Sequence, residues 1–384
     1  MSELSRSARA AAEIARINAF FPIMPLLGNR LAARRPFEGL TIGVSAHLTT
    51  LTGALVLELQ LGGGQWVVCG ASEATTDHDV VSLLRDNGLH VYTGGDREDA
   101  HKQVLDHEPD LIADVGASLI QALVQSRPAQ ARRLRGAVEV TKTGITRLSV
   151  LNTPFPVVNL NDGVLKPAVE NRHGVGEGLW HAVQGLTGMH LSGRRVGVIG
   201  YGPVGKGVAA YARAMGANVE VVESDAIRRL VAHYDGFPTP ALDVCVERVG
   251  VLVTATGARG VIGVEQLREA RDGLVLVNAG HGNDEIDVSG LKAEADVMDQ
   301  VADHVVSLRI TDGPTVIVLA DGHPLNIVTN AGSPEPVLLH FALMGLTLDW
   351  LTGAELTAGQ VVVPTRIERE AAGLALQALQ TAHG

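Results

Sequence analysis

The segment NDGVLKPAVENRHGVG, residues 161–176, contains side chains whose types and spacing suit proton transfer next to a bound ligand. Lys166 stands four places before Glu170, and Asn171 follows directly. In a helix this spacing places two side chains on one face, and Pro167 is tolerated only in the first turn. An exposed ion pair of this kind would contribute little to stability. Beside a nucleotide fold that presents a cofactor, a lysine and a carboxylate could instead take part in acid–base chemistry.

A glycine motif follows in GYGPVGKG, where Gly200, Gly202 and Gly205 have the spacing G-x-G-x-x-G. It lies between the apolar run RVGVI and the small-residue run VAAYARAMGA. Glycine allows a tight turn and a close approach of the backbone to a pyrophosphate at a helix N-terminus. Glu223 ends the next apolar run and can accept hydrogen bonds from ribose hydroxyls, which favours NAD over NADP. Arg228 weakens that preference, because an arginine can bind a 2′-phosphate.

The elements that must position these residues appear as repeated strand-then-helix patterns. The first cycle contains LTIGVSAH, QWVVCGA, HVYTG and DLIADVG, and the second contains RRVGVIG, ANVEVVESD, VGVLVTATG, DGLVLVNAGHG and PTVIVLADG. The pattern predicts an α/β fold with two doubly wound parallel-sheet domains, the second a Rossmann dinucleotide-binding domain. We expect residues 1–175 with 336–384 to form a substrate-binding domain, and residues 176–335 to form the NAD-binding domain.

Ligands of doubly wound sheets bind beyond the C-terminal ends of the strands. In the first cycle this rule places His47, residues 75–78 and Asp114 at candidate site positions. In the second cycle it places Asn278 and His281 there. The chemistry is therefore expected where the strands end.

The composition excludes several other classes of protein. A chain of 384 residues is long enough for two domains, and its net charge of -11 argues against nucleic acid as a partner. Cys69 and Cys245 both lie in apolar runs, so we expect buried thiols, no disulfides and a cytoplasmic location. No apolar run reaches the roughly 18 residues of a membrane span, so no membrane association is expected. No Cys or His cluster has the spacing of a metal site.

Taken together, these segments resemble the S-adenosylhomocysteine hydrolase family over nearly the whole chain. The resemblance rests on SAHLTTLTGAL, TTDH, VNLNDGVLKPAVENRHG, GYGPVGKG, VTATG, NAGHGNDEID and ADGHPLNI, which occur in the family's order. It implies a two-domain enzyme that holds NAD tightly and acts on a nucleoside without net redox change. In that chemistry, oxidation of the ribose 3′-hydroxyl makes the C4′ hydrogen acidic, so that the 5′ substituent can leave by elimination.

The resemblance also implies roles for individual residues. Lys166 would take the 3′-hydroxyl proton, and Glu170, an aspartate in the family, would bond to the sugar hydroxyls. Asp114 matches the first of two adjacent family aspartates and is the candidate base at C4′, while His47 and His281 would assist the leaving group. The implied cofactor-side residues are Gly200, Gly202, Pro203, Val204, Gly205, Glu223, Arg228, Thr141, Thr143, Asn171, Thr256, Gly257, Ala279, Gly280 and Asn326. The implied substrate-side residues are His47, Thr49, Leu51, Thr52, Val140, Lys166, Glu170, His281 and Ser333.

Several substrate-reading positions depart from the family pattern. Leu51 stands where the family has a glutamate that reads the adenine amino group, and Val140 where it has a glutamate on the ribose. Val115 replaces the second aspartate, Thr76 a glutamine and Ser333 a histidine. An unsatisfied polar group on a buried ligand costs about 1–3 kcal/mol, so these losses indicate retained chemistry on a different substrate.

The sequence therefore predicts an NAD-dependent, redox-neutral lyase that removes water across C4′–C5′ of a modified purine nucleoside. Such a dehydratase would serve antibiotic biosynthesis, as in the formation of angustmycin A (decoyinine). The alternatives are hydrolysis of S-adenosylhomocysteine to adenosine and homocysteine, a nucleoside epimerase, and a non-catalytic NAD-binding relative. We expect a homo-oligomer, a dimer or a tetramer, although the final helix REAAGLALQALQTAHG lacks the lysine and tyrosine of the family's C-terminal tail.

Overall fold

The computed structural model describes residues 4–71, 73–93, 97–280 and 282–382. The chain divides into two compact units. Unit 1 comprises Met1–Lys166 with Pro334–Gly384, and unit 2 comprises Pro167–Ser333. The predicted boundaries, after residues 175 and 335, lie slightly C-terminal to both of these points.

Strands and helices alternate along most of the described chain. The strands are β1 (Thr41–Ala46), β2 (Gln65–Gly70), β3 (His90–Tyr92), β4 (Leu111–Asp114), β5 (Gly136–Glu139), β6 (Pro156–Asn159), β7 (Arg195–Ile199), β8 (Asn218–Val222), β9 (Val251–Thr254), β10 (Leu274–Asn278), β11 (Ala295–Ala302), β12 (Val305–Ile310), β13 (Thr315–Leu319) and β14 (Gly359–Val362). The helices are α1 (Arg6–Phe20), α2 (Ile23–Arg34), α3 (Thr50–Gln60), α4 (His78–Asp86), α5 (Arg97–Leu105), α6 (Ser118–Ser126), α7 (Pro128–Ala131), α8 (Lys142–Leu148), α9 (Gly176–Thr187), α10 (Pro203–Ala214), α11 (Ala226–Tyr234), α12 (Leu242–Val246), α13 (Val264–Leu267), α14 (Val288–Ala293), α15 (Leu325–Val328), α16 (Glu335–Leu351) and α17 (Thr365–Ala382). Short 3-10 helices occupy Glu73–Thr75 and Ala320–Gly322, and Lys166–Val175 forms a π-helix.

Unit 1 is built on a seven-stranded sheet in the order β14-β6-β5-β4-β1-β2-β3. Each neighbouring pair of strands is parallel. The central strands carry Ile, Val and Ala side chains that are almost completely buried, as expected for a sheet covered on both faces. The chain starts at β1, winds to one side through β2 and β3, and then returns to β4 on the other side. The predicted doubly wound fold of this unit is confirmed.

Unit 2 contains a second seven-stranded sheet, in the order β11-β12-β13-β10-β9-β7-β8. Strands β8, β7, β9, β10 and β13 are parallel, which confirms the predicted Rossmann arrangement. Strands β12 and β11 then continue the sheet in antiparallel fashion, a feature that the sequence pattern did not predict. Strand β11 is exposed along most of its length, so its sequence lacks the apolar run by which buried parallel strands are recognised.

Both cysteines are free and completely buried, as predicted. Burial raises the pKa of each thiol to about 12. Cys69 lies in β2 and Cys245 lies in the short helix α12. Within the described ranges, no single helix is both long and apolar enough to cross a membrane, although the bent pair α1 and α2 meets that test by length and composition alone.

Candidate functional site

In unit 1, polar residues gather at the C-terminal edge of the sheet. His47 follows β1, Thr75 follows β2, Asp114 ends β4 and Thr141 follows β5. These four strands are neighbours, in the order β5-β4-β1-β2. Because parallel strands end at one edge, the fold brings the four residues to the place where doubly wound sheets bind ligands.

The imidazole of His47 is held by the loop after β2. Its Nδ1 lies 2.7 Å from Oγ1 of Thr75, and either atom can be the donor, depending on the histidine tautomer. The backbone at the same point is fixed by Thr52, whose hydroxyl donates to the carbonyl of His47 at 2.6 Å. Thr49 caps α3, because its side chain accepts from the backbone N–H of Thr52. A ring oriented in this way can present its other nitrogen for acid–base chemistry.

Asp114, the predicted base, is completely buried at the end of β4. Its Oδ2 accepts a hydrogen bond of 2.9 Å from the backbone N–H of Ile120, in the first turn of α6. Burial raises the pKa of Asp114 to about 6, although the hydrogen bond from Ile120 acts in the opposite direction. A carboxylate with a raised pKa is a stronger base near neutral pH. The side chain therefore supports the start of α6 in addition to its predicted role.

Lys166 and Glu170 lie together on the π-helix Lys166–Val175, with Pro167 at its second position. Lys166 is only 9% exposed, and Glu170 is half-buried. Just before this helix, Glu368 of α17 accepts backbone hydrogen bonds from Val164 at 2.6 Å and Leu165 at 2.9 Å. π-helical turns are rare and frequently occur at functional sites. Pro167 lies in the first turn of this helix, the place where the sequence was expected to tolerate it, but the helix type was not foreseen.

The other substrate-side residues of the prediction differ in burial. Val140 is 4% exposed directly after β5, whereas Leu51, in the first turn of α3, is half-buried. Ser333, the last residue of unit 2, is also half-buried. His281 lies outside the described residues.

In unit 2, the three glycines of the motif after β7 serve different purposes. Gly200 has a φ of +95°, and a Cβ there would lie 2.6 Å from the carbonyl oxygen of Ala255. A Cβ at Gly205 would lie 2.0 Å from the carbonyl oxygen of Gly200, so the third glycine lets α10 pack against β7. Gly202 caps α10, and a Cβ there would meet no described atom within 4 Å. The open space at the helix N-terminus fits a pyrophosphate.

The acid at the end of the next strand is tied to this turn. Glu223 Oε2 accepts from the backbone N–H of Tyr201 at 2.7 Å, and its Oε1 accepts from the N–H of Asp225 at 2.9 Å. The side chain of Arg228 is exposed in the first turn of α11. The donors of the glycine turn thus hold Glu223 beside the position expected for an adenosine ribose.

The remaining cofactor-side residues follow the neighbouring strands. Thr256 and Gly257 come after β9, and Ala279 and Gly280 come after β10. With β7 and β8, these strands form the consecutive set β10-β9-β7-β8, so the loops share one sheet edge. The positions assigned outside these loops are Pro203 and Val204 at the start of α10, Thr141 and Thr143 around the start of α8, Asn171 in the π-helix and Asn326 in α15.

Two buried acids, Glu139 and Glu285, were missed at the level of sequence. Glu139 ends β5 beside Asp114, its partner in the register of the sheet. Glu285 lies in the segment NDEID after β10. The signal that could have identified Glu139 is an acid ending the apolar run GAVE, just as Asp114 ends LIAD. Both residues contact backbone groups of the predicted site loops.

The similarity to known proteins extends over residues of both units. Residues 171–332 match the family model described as S-adenosyl-L-homocysteine hydrolase, NAD binding domain. The chain is 36% identical over 372 residues to the S-inosyl-L-homocysteine hydrolase of Methanopyrus kandleri, covering 93% of this chain and 88% of that protein. It is 34% identical over 371 residues to the adenosylhomocysteinase of Nostoc sp., covering 93% and 87%. It is 30% identical over 391 residues to the S-inosyl-L-homocysteine hydrolase of Methanothermobacter thermautotrophicus, covering 99% and 94%.

Proposed function

Because the chain belongs to the S-adenosylhomocysteine hydrolase family and has NAD as its cofactor, we propose that it hydrolyses the thioether of an S-nucleosyl-L-homocysteine. The observation that carries the proposal is the extent of the similarity to hydrolases, which covers 93% of the chain and thus includes residues of both units. Bound NAD would supply reversible hydride acceptance from the ribose. The products would be a nucleoside and homocysteine.

The chain's own residues would supply the proton transfers. Lys166 would take the 3′-hydroxyl proton, and Glu170 would accept hydrogen bonds from the sugar hydroxyls. Asp114 would remove the C4′ proton, for which its raised pKa suits it. His47, oriented by Thr75, would donate a proton to the departing sulfur. Burial of Lys166 and Asp114 favours this chemistry, because a dry site strengthens electrostatic interactions.

Hydrolysis replaces dehydration as the leading function. The matched relatives are named as hydrolases of S-nucleosyl-homocysteines, and the water-eliminating reaction predicted from the sequence has no support among them. A thiolate is also a better leaving group than hydroxide, so the thioether reaction demands less of His47. Antibiotic biosynthesis as the biological setting rests on the dehydration hypothesis alone.

The purine base is the part of the substrate in which the matched relatives differ. Two of the matched relatives are named for an inosyl thioether, which carries an oxygen where adenine carries an amino group. A carboxylate accepts a hydrogen bond from the amino group but repels the oxygen. Leu51 presents neither a charge nor an acceptor, so we propose that a 6-oxopurine thioether is accepted at least as well as the adenosyl compound.

The test is incubation of the NAD-loaded protein with S-adenosyl- and S-inosyl-L-homocysteine in deuterated water. We expect thiol release from at least one compound, with deuterium entering C4′ of the nucleoside. A 5′-hydroxyl nucleoside, such as psicofuranosyl adenine, is supplied in parallel. Loss of about 18 mass units from that compound, with no thiol released from either thioether, would overturn hydrolysis in favour of dehydration.

A further inference from the structure

We infer that Glu139 in unit 1 and Glu285 in unit 2 are positioning residues, each of which fixes the candidate-site loops of its own unit. The inference rests on the proposed function for its catalytic consequence. The two side chains are 0% and 1% exposed, a degree of burial that acids rarely reach unless they are paired or hydrogen-bonded. Their hydrogen-bond partners are backbone and hydroxyl groups of predicted site loops.

Glu139 joins the loop after β4 to the loop after β5. Its Oε1 accepts from the backbone N–H of Gly116 at 3.0 Å, and its Oε2 accepts from that of Ala117 at 2.7 Å. On the other loop, Oε1 accepts from both the backbone N–H and the hydroxyl of Thr141, each at 2.7 Å. The same hydroxyl of Thr141 accepts from the backbone N–H of Gly144, which caps α8. One carboxylate therefore organises the starts of both α6 and α8.

The turn that Glu139 holds has an unfavourable backbone conformation. Gly116 has a φ of +100° and Ala117 a φ of +57°, and an alanine rarely adopts the left-handed region. Two successive N–H groups converge on the carboxylate, an arrangement that binds anions well. Gly144 leaves room for the carboxylate, because a Cβ at that position would lie 2.3 Å from the carboxyl carbon of Glu139. Without Glu139, the strained turn next to Asp114 loses the acceptors of two backbone N–H groups.

Glu285 makes a corresponding set of contacts in unit 2. Its Oε2 accepts from the backbone N–H of Thr256 at 2.9 Å and from the hydroxyl of Thr256 at 2.8 Å. Its Oε1 accepts from the backbone N–H of Gly257 at 2.8 Å. A Cβ at Gly280 would lie 1.7 Å from Oε1, so a glycine again leaves room for the carboxylate. Glu285 thus joins the loop after β9 to the loop after β10.

The two acids predict two different losses of function. Glu139 holds the turn that follows Asp114 and also Thr141, which is assigned to the cofactor side, while Glu285 holds Thr256 and Gly257, both on the cofactor side. Glutamine preserves the volume of either side chain but replaces one acceptor oxygen with an NH2 group. That group would face backbone N–H donors, because glutamine offers one oxygen where the native carboxylate uses two. Each substitution therefore loosens its loops without leaving a cavity.

The experiment compares Glu139→Gln with Glu285→Gln in the full-length protein, so that each variant is the control for the other. Glu285→Gln should weaken NAD affinity about tenfold, as expected for one unsatisfied buried polar group. Glu139→Gln should slow deuterium incorporation at C4′ by about 100-fold through a lower kcat, with little change in KM, and should weaken NAD affinity less than Glu285→Gln does, because Thr141 is its one partner on the cofactor side. Equal NAD affinities in the two variants, or normal C4′ exchange in Glu139→Gln, would overturn the inference.

Two further measurements distinguish a loss of positioning from a failure to fold and from a failure of the proposed function. Amide hydrogen exchange should become faster at Gly116, Ala117 and Thr141 in Glu139→Gln and should remain unchanged at Thr256, with the reverse in Glu285→Gln. This result does not require any turnover, so wild-type protein that releases no homocysteine would refute the proposed function and not the positioning roles. If Glu139→Gln fails to fold, Gly144→Ala displaces the same carboxylate and should show the same kinetic split, and a normal rate in that variant would contradict the role of Glu139.

Discussion

Nδ1 of His47 lies 2.7 Å from the hydroxyl oxygen of Thr75, which links the end of β1 to the loop after β2. The contact holds the orientation of the imidazole. In Thr75→Val the shape is kept and the hydrogen bond is lost, so we expect kcat for homocysteine release to fall about tenfold or more. Steady-state kinetics with a thiol reagent would measure the effect. Thr381→Val, on an exposed part of α17, is the matched control, and equal rates in the two variants would contradict the role of Thr75.

Lys166→Ala separates cofactor binding from the redox step. The variant should retain NAD, because the glycine turn after β7 is unchanged, but substrate should no longer reduce the bound cofactor. Absorbance of the reduced nicotinamide in a single turnover is the measurement. Lys142→Ala removes an exposed lysine of unit 1 and should behave as wild type. Reduced nicotinamide formed at the wild-type rate in Lys166→Ala would refute the proton-accepting role of Lys166.

Leu51→Glu tests how the protein recognises the purine base. The new carboxylate can accept from an adenine amino group and should repel the oxygen of a 6-oxopurine. We expect the ratio of kcat/KM for S-adenosyl- over S-inosyl-L-homocysteine to rise about tenfold or more, which corresponds to about 1–3 kcal/mol. Leu51→Gln, which can either donate or accept, should change the ratio less. A ratio that does not move in Leu51→Glu would show that position 51 does not face the base.

Gly202→Ala should lower the affinity for NAD, whereas Gly205→Ala should lower thermal stability. A Cβ at Gly202 enters open space, so Gly202→Ala should fold normally and lose NAD affinity by about tenfold or more, because the backbone no longer approaches the pyrophosphate. A Cβ at Gly205 would press on the carbonyl of Gly200, so Gly205→Ala should lower the thermal midpoint. Calorimetry and a binding titration measure the two effects. Full NAD affinity in Gly202→Ala would argue against a pyrophosphate at this turn.

The buried acids Glu139 and Asp114 make stability depend on pH. Burial, with the charge of Asp114, raises the pKa of Glu139 above its ordinary 4.5, although the hydrogen bonds from Thr141 and Gly116 act in the opposite direction. Burial raises the pKa of Asp114 from 3.8 to about 6. A raised folded-state pKa means that ionisation is easier in the unfolded chain. The stabilising contribution of both acids is therefore complete below about pH 4 and is lost as the pH rises through their folded-state pKa values. Each group contributes at most about 1.4 kcal/mol per pH unit.

Urea unfolding at a series of pH values measures this dependence. Glu139→Gln removes one of the two titrating acids, so the fall in unfolding free energy between about pH 5 and pH 8 should be shallower than in the wild type. Glu108→Gln, at an exposed glutamate paired with Arg133, is the control and should leave the slope unchanged. Identical slopes in wild type and Glu139→Gln would show that Glu139 does not titrate in this range.

The sequence predicted the features that depend on local pattern. Apolar runs ending in small or polar residues identified strands β1–β4, β7–β10 and β13, but not the parallel strands β5, β6 and β14. The spacing of Gly200, Gly202 and Gly205 identified the dinucleotide turn. Strand β11 was missed because an exposed edge strand has no apolar signature. Glu139 and Glu285 were missed because an acidic residue in a sequence is usually expected to be exposed to solvent. Their burial depends on backbone N–H donors from other loops, which only the three-dimensional structure shows. The prediction of dehydration rested on replaced substrate-side residues such as Leu51 and Val140, and a replaced side chain indicates altered recognition without identifying the reaction.

The π-helix at Lys166–Val175 makes the length of this segment as important as its composition. Each residue of an α-helix advances the chain by about 100° around the axis, so deleting one residue between Lys166 and Asn171 would turn the remaining side chains away from their present direction. An exposed position such as Ala168 can accept other residues, since it faces solvent. A shortened segment could relax into ordinary helical geometry and gain regular hydrogen bonds, yet it would change the direction of Lys166 relative to the acid and to Asn171. We expect such a protein to fold and to lack catalytic activity.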